Sequence, residues 1–211
     1  MLDKFATRVN TAGDKGISWL VSWMLYLILS VFPALYLRNF SKKQQVPWLV
    51  ELYVSLKMIF VFLVLAMSWY KHPVILLVIV LLLIETVLYN LFFILCSNLF
   101  EVPVSPKRLL ILGFINYLEI VFSFACIYAS MQAIVYATPN IPTPLTKVDY
   151  TFFSVAIGGV LGFGDYKIIN ETGKTLAVLQ CMIFLMFFIL FISYNLSLFT
   201  SKKEPFERNP G

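Results

Sequence analysis

The residues with the clearest capacity for chemistry lie in one stretch, 149–165, which ends in Gly162-Phe163-Gly164-Asp165. Its apolar run is too short to cross a bilayer, and it lies between two runs that are long enough. Two glycines flanking one residue let the backbone adopt conformations closed to other residues and bring its carbonyl oxygens toward an axis. Carbonyl oxygens held in this way replace the hydration shell of a cation. The pattern predicts a re-entrant helix followed by a cation-binding loop.

This stretch resembles the pore region of the potassium-channel superfamily, whose pattern is a pore helix followed by T-V-G-Y-G-D. The last four residues match, with phenylalanine in the tyrosine position, a variant that the family also uses. An acidic start, an aromatic pair and a serine fall where such channels often carry them, at Asp149, Phe152, Phe153 and Ser154.

The resemblance implies a selectivity filter from Val160 to Gly164. Potassium would bind to the backbone carbonyls of Val160, Leu161, Gly162 and Phe163. Asp165 would lie at the outer mouth, as a partner of the pore helix or as part of a cation-attracting ring. No cofactor is implied besides the permeant ion.

The sequence departs from the family pattern just before the filter. Pore helices of the family usually end T-x-T-T, and this chain has Ile157, Gly158, Gly159 and Val160 there. Val160 is close in shape to threonine but offers no hydroxyl to the innermost ion site, so we expect three intact ion sites and one impaired site. The two glycines should weaken the end of the helix by about 1 kcal/mol each relative to alanine.

Composition indicates an integral membrane protein. The chain has 211 residues, 60% of them hydrophobic and 13% charged, with a mean hydropathy of +0.86. Soluble domains carry roughly 25% charged residues. The net charge of +5 arises from positive residues beside apolar runs, which is typical of topology-setting charge and argues against a nucleic-acid partner.

Apolar runs and prolines divide the chain into four segments. We expect a polar, weakly amphipathic stretch at 1–16, peripheral transmembrane helices at 17–108, a pore domain at 109–200 and a cytoplasmic tail at 201–211. The pore domain would consist of an outer helix, the pore loop 148–165 and an inner helix. Candidate spans are 17–37, 48–70, 74–99, 109–137 and 175–200. The expected fold is an all-α membrane protein of about five spans.

Basic residues set the expected orientation. If the tail is cytoplasmic, the basic loops at 38–43 and 107–108 are cytoplasmic too, and the pore loop is extracellular. Five spans would then place Lys4, Arg8 and Lys15 outside. A first segment lying along the inner surface would remove this conflict and leave four spans.

Three ionisable residues lie inside apolar spans, namely Lys57, Glu85 and Glu119. Such residues are costly in a bilayer and usually have a partner or a function. Each lies roughly 12–18 Å from the assumed cytoplasmic ends. We expect Lys57 to bridge one or both glutamates, with Asn90 and Asn116 nearby. Separate exposure of the three to a water-filled crevice is the alternative.

The sequence favours a channel over an enzyme. It shows no catalytic triad, metalloprotease motif, phosphate-binding loop or paired carboxylates at usable spacing. We expect a passive, potassium-preferring cation channel formed by a homotetramer in a plasma or bacterial inner membrane. The alternatives are a non-conducting or weakly selective channel-like subunit and a transporter with a re-entrant hairpin. A transporter would be expected to have inverted repeats, and we find none.

Overall fold

The computed structural model describes residues 17–44, 48–95, 106–137, 144–159, 161–162 and 164–201. These ranges contain seven α-helices, which are α1 (Ile17–Leu29), α2 (Pro33–Gln44), α3 (Trp48–Met67), α4 (Pro73–Leu95), α5 (Pro106–Met131), α6 (Lys147–Gly158) and α7 (Glu171–Ser201). A 3-10 turn, Trp69–Lys71, joins α3 to α4. The predicted segment 1–16 and all but the first residue of the predicted tail 201–211 lie outside the described residues.

Four helices are long and apolar enough to cross a membrane. The qualifying segments are Trp48–Met67, Pro73–Phe92, Leu110–Met131 and Glu171–Phe188. This agrees with the predicted class of helical membrane protein. It also places α6 between the last two long helices, as a helix of 12 residues and about 18 Å that is too short to span.

The prediction of one continuous span over 17–37 is wrong. The helix α1 ends at Leu29 after 13 residues, or about 20 Å. The Ser30 hydroxyl donates to the Leu27 carbonyl at 2.6 Å and so satisfies one of the free carbonyls at the helix end. Pro33 begins α2, because its ring excludes the carbonyl four residues back and its fixed φ suits a first helical position.

The short helices α1 and α2 pack on the long ones. Tyr26 of α1 contacts Phe92 near the end of α4, with ring centroids 6.5 Å apart. The backbone N–H of Ala34, at the start of α2, donates to Glu85 in the middle of α4. The break between the two helices therefore lies next to the buried carboxylate of Glu85.

The long helices share one hydrophobic core. Val61 and Val64 of α3, Ile79 of α4 and Ile120 of α5 have no exposed surface. The core continues through Phe153 of α6, whose ring meets Tyr128 of α5 edge-on with centroids 5.0 Å apart. The short helix is thus inserted into the packing of the long helices.

A two-stranded ribbon flanks α6, and the sequence analysis did not predict it. The expected span 109–137 ends early, because α5 stops at Met131 and Gln132 adopts a left-handed φ of 48°. Strand β1 (Ile134–Tyr136) then pairs antiparallel with β2 (Tyr166–Ile168), and Val135 lies opposite Lys167. The segment before α6 is thereby joined to the segment after the glycine loop.

Candidate functional site

The first turn of α6 is held by a group that we call the capping cluster, Tyr136, Thr146, Asp149 and Tyr166. The Thr146 side chain accepts from the Asp149 N–H, and Asp149 accepts from the Thr146 N–H at 2.6 Å, which is a capping box. The same carboxylate accepts from the Tyr166 hydroxyl at 2.8 Å and the Tyr136 hydroxyl at 3.1 Å. One side chain therefore joins α6 to both strands.

The capping cluster changes the acidity of its members. Partial burial acts to raise the pKa of Asp149, but hydrogen bonds from Thr146, Tyr166 and Tyr136 outweigh it and lower the pKa below its ordinary value. Burial, and then the bond to Asp149, raise the pKa of Tyr166. Asp149 is accordingly an ionised acceptor at neutral pH, and Tyr166 a neutral donor.

Inside the membrane domain, α6 is tied to its neighbours by uncharged groups that we call the hydroxyl–amide network. Gln180 of α7 donates to the Ser154 carbonyl and hydroxyl of α6, both at 2.9 Å. Its amide oxygen accepts from the Tyr128 hydroxyl of α5 at 2.8 Å. The Ser154 hydroxyl donates to the Val121 carbonyl of α5 at 2.8 Å. Ser154, Gln180 and Tyr128 have no exposed surface, so this polar contact is dry.

The C-terminal end of α6 needs glycine for space. A β-carbon at Gly158 would lie 2.8 Å from the ring of Phe184 on α7. Phe184 is itself buried and packs edge-on against Tyr117 of α5, with centroids 5.2 Å apart. The sequence analysis assigned Gly158 only a weakening effect on the helix. The structure shows that Gly158 also allows α6 to pack closely against α7.

The glycine loop 159–165 follows directly. The Leu161 N–H donates to the Ala156 carbonyl at 2.9 Å and closes the helix end. Gly162 has a φ of +90° and Gly164 a φ of +57°, both in the region that L-residues rarely adopt. Leu161 is 79% exposed. Val160 and Phe163, two of the predicted ion-binding residues, lie outside the described residues.

Asp165 lies at the end of the loop with an exposed side chain. Its backbone carbonyl accepts from the Ala137 N–H at 2.6 Å, so the loop exit is anchored beside β1. The contact with the start of α6 is made by the next residue, Tyr166, through Asp149.

The structure brings together the three intramembrane charges. The Lys57 ammonium lies 3.4 Å from Glu85 Oε2 and 3.2 Å from Glu119 Oε1, and it donates to the Thr86 hydroxyl at 2.5 Å. The Thr86 hydroxyl donates in turn to Glu119 Oε1 at 2.8 Å. We call these residues, with Tyr53, the ionic cluster. It joins α3, α4 and α5.

The two glutamates have unequal surroundings. Glu85 accepts from the Tyr53 hydroxyl at 2.8 Å and from the Ala34 N–H at 2.9 Å, in addition to Lys57. Glu119 accepts only through Oε1, and its Oε2 is buried without a hydrogen-bond partner among the described residues. Asn90 and Asn116, expected nearby, form a neighbouring pair at 3.1 Å.

A small cavity adjoins the ionic cluster. It has a volume of about 20 Å³, and its lining combines charged, polar and apolar side chains, among them Tyr53, Lys57, Glu85, Thr86 and Asn116. That volume suffices for one water molecule, and the lining supplies the polar partners that a water needs.

Sequence reasoning missed the residues that complete both networks. Gln180 is an amide within an apolar span, and a polar residue there is a recognisable signal. Thr86 adjoins Glu85 in the sequence and was equally visible. Tyr136 and Tyr166 carried no such signal, because tyrosine is common at membrane interfaces.

Comparison with known proteins finds no matching family model, no matching curated protein and no matching solved structure. Within the described residues, no group of three or more histidine, cysteine, aspartate or glutamate side chains could hold a metal ion. Ion binding by the carbonyls of the loop after α6 stays a prediction from the sequence.

Proposed function

We propose that the protein is a passive, potassium-preferring cation channel whose filter is formed by residues 160–164 from four copies of the chain. The observation that carries the proposal is the pair of positive-φ glycines, Gly162 and Gly164, directly after a short, partly buried helix between two long apolar ones. A backbone in such conformations can direct its carbonyl oxygens toward one axis, where they replace the hydration shell of an ion.

The contacts around α6 support this proposal, because a carbonyl filter requires a firmly held backbone. The helix is fixed at its start by the capping cluster, at its middle by the hydroxyl–amide network, and at its end by contact with Phe184. The loop exit is fixed by Ala137. These four sets of contacts would hold the loop backbone in the fixed conformation that a filter requires.

The exposed surface of one chain favours assembly. Val148, Phe152 and Val155 form an exposed apolar stripe on α6, and Leu161 adds to it in the loop. Because α6 is too short to span, this stripe next to the proposed filter is best covered by neighbouring copies. A single chain supplies one filter strand, so a cyclic assembly of four is required for conduction.

Four spans give a consistent orientation for this channel. With α1 and α2 on the same side as the start of α3, the basic stretches at 38–43 and 107–108 share that side with the end of α7. The positive-inside rule then makes that side cytoplasmic and the glycine loop external. The proposed location is a plasma or bacterial inner membrane.

The alternative is a channel-like subunit that does not conduct or selects weakly. Val160 favours it, since valine supplies no hydroxyl at the innermost site of the proposed filter. The two functions differ in ion flux and share the same fold.

Flux into liposomes tests the proposal. Purified protein would be reconstituted into vesicles loaded with potassium, and flux would be followed with a proton ionophore and a pH-sensitive dye. The channel proposal predicts flux from the wild-type protein and its loss in Gly162→Ala. That substitution has open space for the β-carbon but a strained φ, so it alters the backbone without a steric clash.

Val160→Thr separates the two functions. Flux that appears only in this variant would support the non-conducting subunit. A wild-type flux that Gly162→Ala leaves unchanged would contradict the assigned filter.

A further inference from the structure

The charges of the ionic cluster do not balance. The Lys57 ammonium has three acceptors within 3.4 Å, namely Glu85 Oε2, Glu119 Oε1 and the Thr86 hydroxyl, and these match the three hydrogens of its charged form. Lys57 is therefore positive. Two ionised glutamates beside it would leave one uncompensated negative charge.

An excess charge at this place is unfavourable, because the cluster is buried at membrane depth. Lys57 is 7% exposed, Glu85 1% and Glu119 0%. A buried charge without a partner is usually neutralised. The titratable groups facing Glu119 are Lys57 and Tyr53 of α3 and Glu85 of α4. Apart from Lys57, they supply no positive charge.

The hydrogen bonds distinguish the two carboxylates. Glu85 has three donors divided between its two oxygens, including the N–H at the start of α2, where the helix dipole favours an anion. Glu119 Oε1 accepts a hydrogen bond from the Thr86 hydroxyl and forms the ion pair with Lys57. Glu119 Oε2 has no hydrogen-bond partner in the part of the chain that the structure describes. Oε1 is placed as a carbonyl oxygen, and Oε2 as the oxygen that carries hydrogen.

We propose that Glu119 is an intramembrane proton-binding site, occupied at neutral pH, that makes the Lys57–Glu85–Glu119 cluster electrically neutral. The ligand is a single proton on Glu119 Oε2. The nearby cavity has room for one water and is bordered by Lys57 and Thr86, the two groups that contact Glu119 Oε1. This site is separate from the proposed filter and does not depend on ion conduction.

Infrared difference spectroscopy of the protein in lipid tests the assignment. A protonated carboxyl group has a carbonyl stretching band that ionised carboxylates lack. The proposal predicts such a band in the wild-type protein at pH 7, its loss in Glu119→Gln and its retention in Glu85→Gln. Thr86→Val should shift the band to higher frequency, because it removes the hydroxyl that donates to Glu119 Oε1.

The outcome that would overturn the proposal is also spectroscopic. Absence of the band at pH 7, or a band that survives Glu119→Gln, would exclude the proton on Glu119. If Glu85→Gln does not fold, the wild-type and Glu119→Gln spectra still decide the question.

Melting temperatures of the variants test the protonation of Glu119 independently. Glutamine resembles a protonated glutamate, so Glu119→Gln should change the melting temperature by less than about 3 °C, the shift that ~1 kcal/mol gives in a protein of this size. Glu85→Gln removes an ionised acceptor with three donors and should lower it by more. A larger loss in Glu119→Gln than in Glu85→Gln would contradict the assignment.

Discussion

Two buried polar groups join helices in this molecule by different means. The ionic cluster joins α3, α4 and α5 through Lys57 and two glutamates, whereas the hydroxyl–amide network joins α5, α6 and α7 through Gln180, Ser154 and Tyr128. The charged group joins α5 to the two long helices that precede it, and the neutral group joins α5 and α7 to the short helix before the glycine loop. The neutral group holds the middle of α6 without placing a charge there, whereas the start of α6 is held by the ionised Asp149.

The comparison also predicts different sensitivities. A buried ion pair costs little when intact but leaves an uncompensated charge when one partner is removed. A neutral hydrogen bond in a membrane protein contributes on average ~0.6 kcal/mol. Removal of the Lys57 cation from the ionic cluster should therefore cost more than removal of the Gln180 amide from the hydroxyl–amide network.

The largest effect is expected for Lys57→Met. It leaves the ionised Glu85 without its cation, and removal of one partner from a buried pair costs about 3–5 kcal/mol. Thermal unfolding in detergent or lipid measures this loss. Lys71→Met, at an exposed position in the turn after α3, is the matched control and should have little effect. Equal losses of stability in both variants would show that the ionic cluster does not stabilise the fold.

A smaller loss is expected for Gln180→Met. The new side chain is similar in length but cannot bond to Ser154 or Tyr128, and three lost hydrogen bonds at ~0.6 kcal/mol each give about 2 kcal/mol. The control is Leu179→Met on the exposed side of the same helix. If the channel proposal holds, ion selectivity should fall in Gln180→Met as well. A cost above that of Lys57→Met would reverse the ranking of the two groups.

Gly158→Ala tests the packing that accompanies the neutral network. The alanine β-carbon would clash with Phe184, and such overpacking destabilises a fold by about 1–3 kcal/mol. The higher helix propensity of alanine offsets up to ~1 kcal/mol of that loss. We expect a net loss of about 1 kcal/mol in thermal unfolding. The loss should vanish in a Phe184→Leu background, and a persistent loss would show that Phe184 is not its cause.

The smallest effect on stability near neutral pH is expected for substitutions in the capping cluster. The folded-state pKa of Asp149 lies below its ordinary value, so its ionised form stabilises the fold at pH values above the ordinary value of about 3.9. That contribution falls as the pH drops below the ordinary value and is lost as it passes through the depressed pKa. Unfolding measured from pH 8 to 3 should show this acid-side loss in the wild-type protein and a reduced loss in Asp149→Asn. An equal acid-side loss in the variant would assign the effect to another group.

The sequence predicted the parts of the fold that depend on hydrophobic length and on unusual residues. Long apolar runs indicated the four helices that are long and apolar enough to span, together with a fifth candidate at 17–37, and the short run before Gly162 indicated α6. Charges at similar depth indicated the cluster around Lys57, because such charges rarely lie alone in a bilayer.

The remaining features depend on tertiary contacts that leave little trace in sequence. The split of 17–37 follows from Pro33 acting together with the bond from Ala34 to Glu85, which lies 51 residues away. The ribbon consists of two strands of three residues each, too short for an alternating pattern to indicate. The role of Gly158 depends on the position of Phe184 on another helix.

The most direct test of the central claim is the reversal potential of the purified protein in a planar bilayer with potassium on one side and sodium on the other. A potassium-preferring channel should give a current that reverses near the potassium equilibrium potential and is absent in Gly162→Ala. A current that reverses near zero would show a pore without potassium selectivity. Silence in both the wild-type protein and Val160→Thr would contradict the claim that this loop conducts ions.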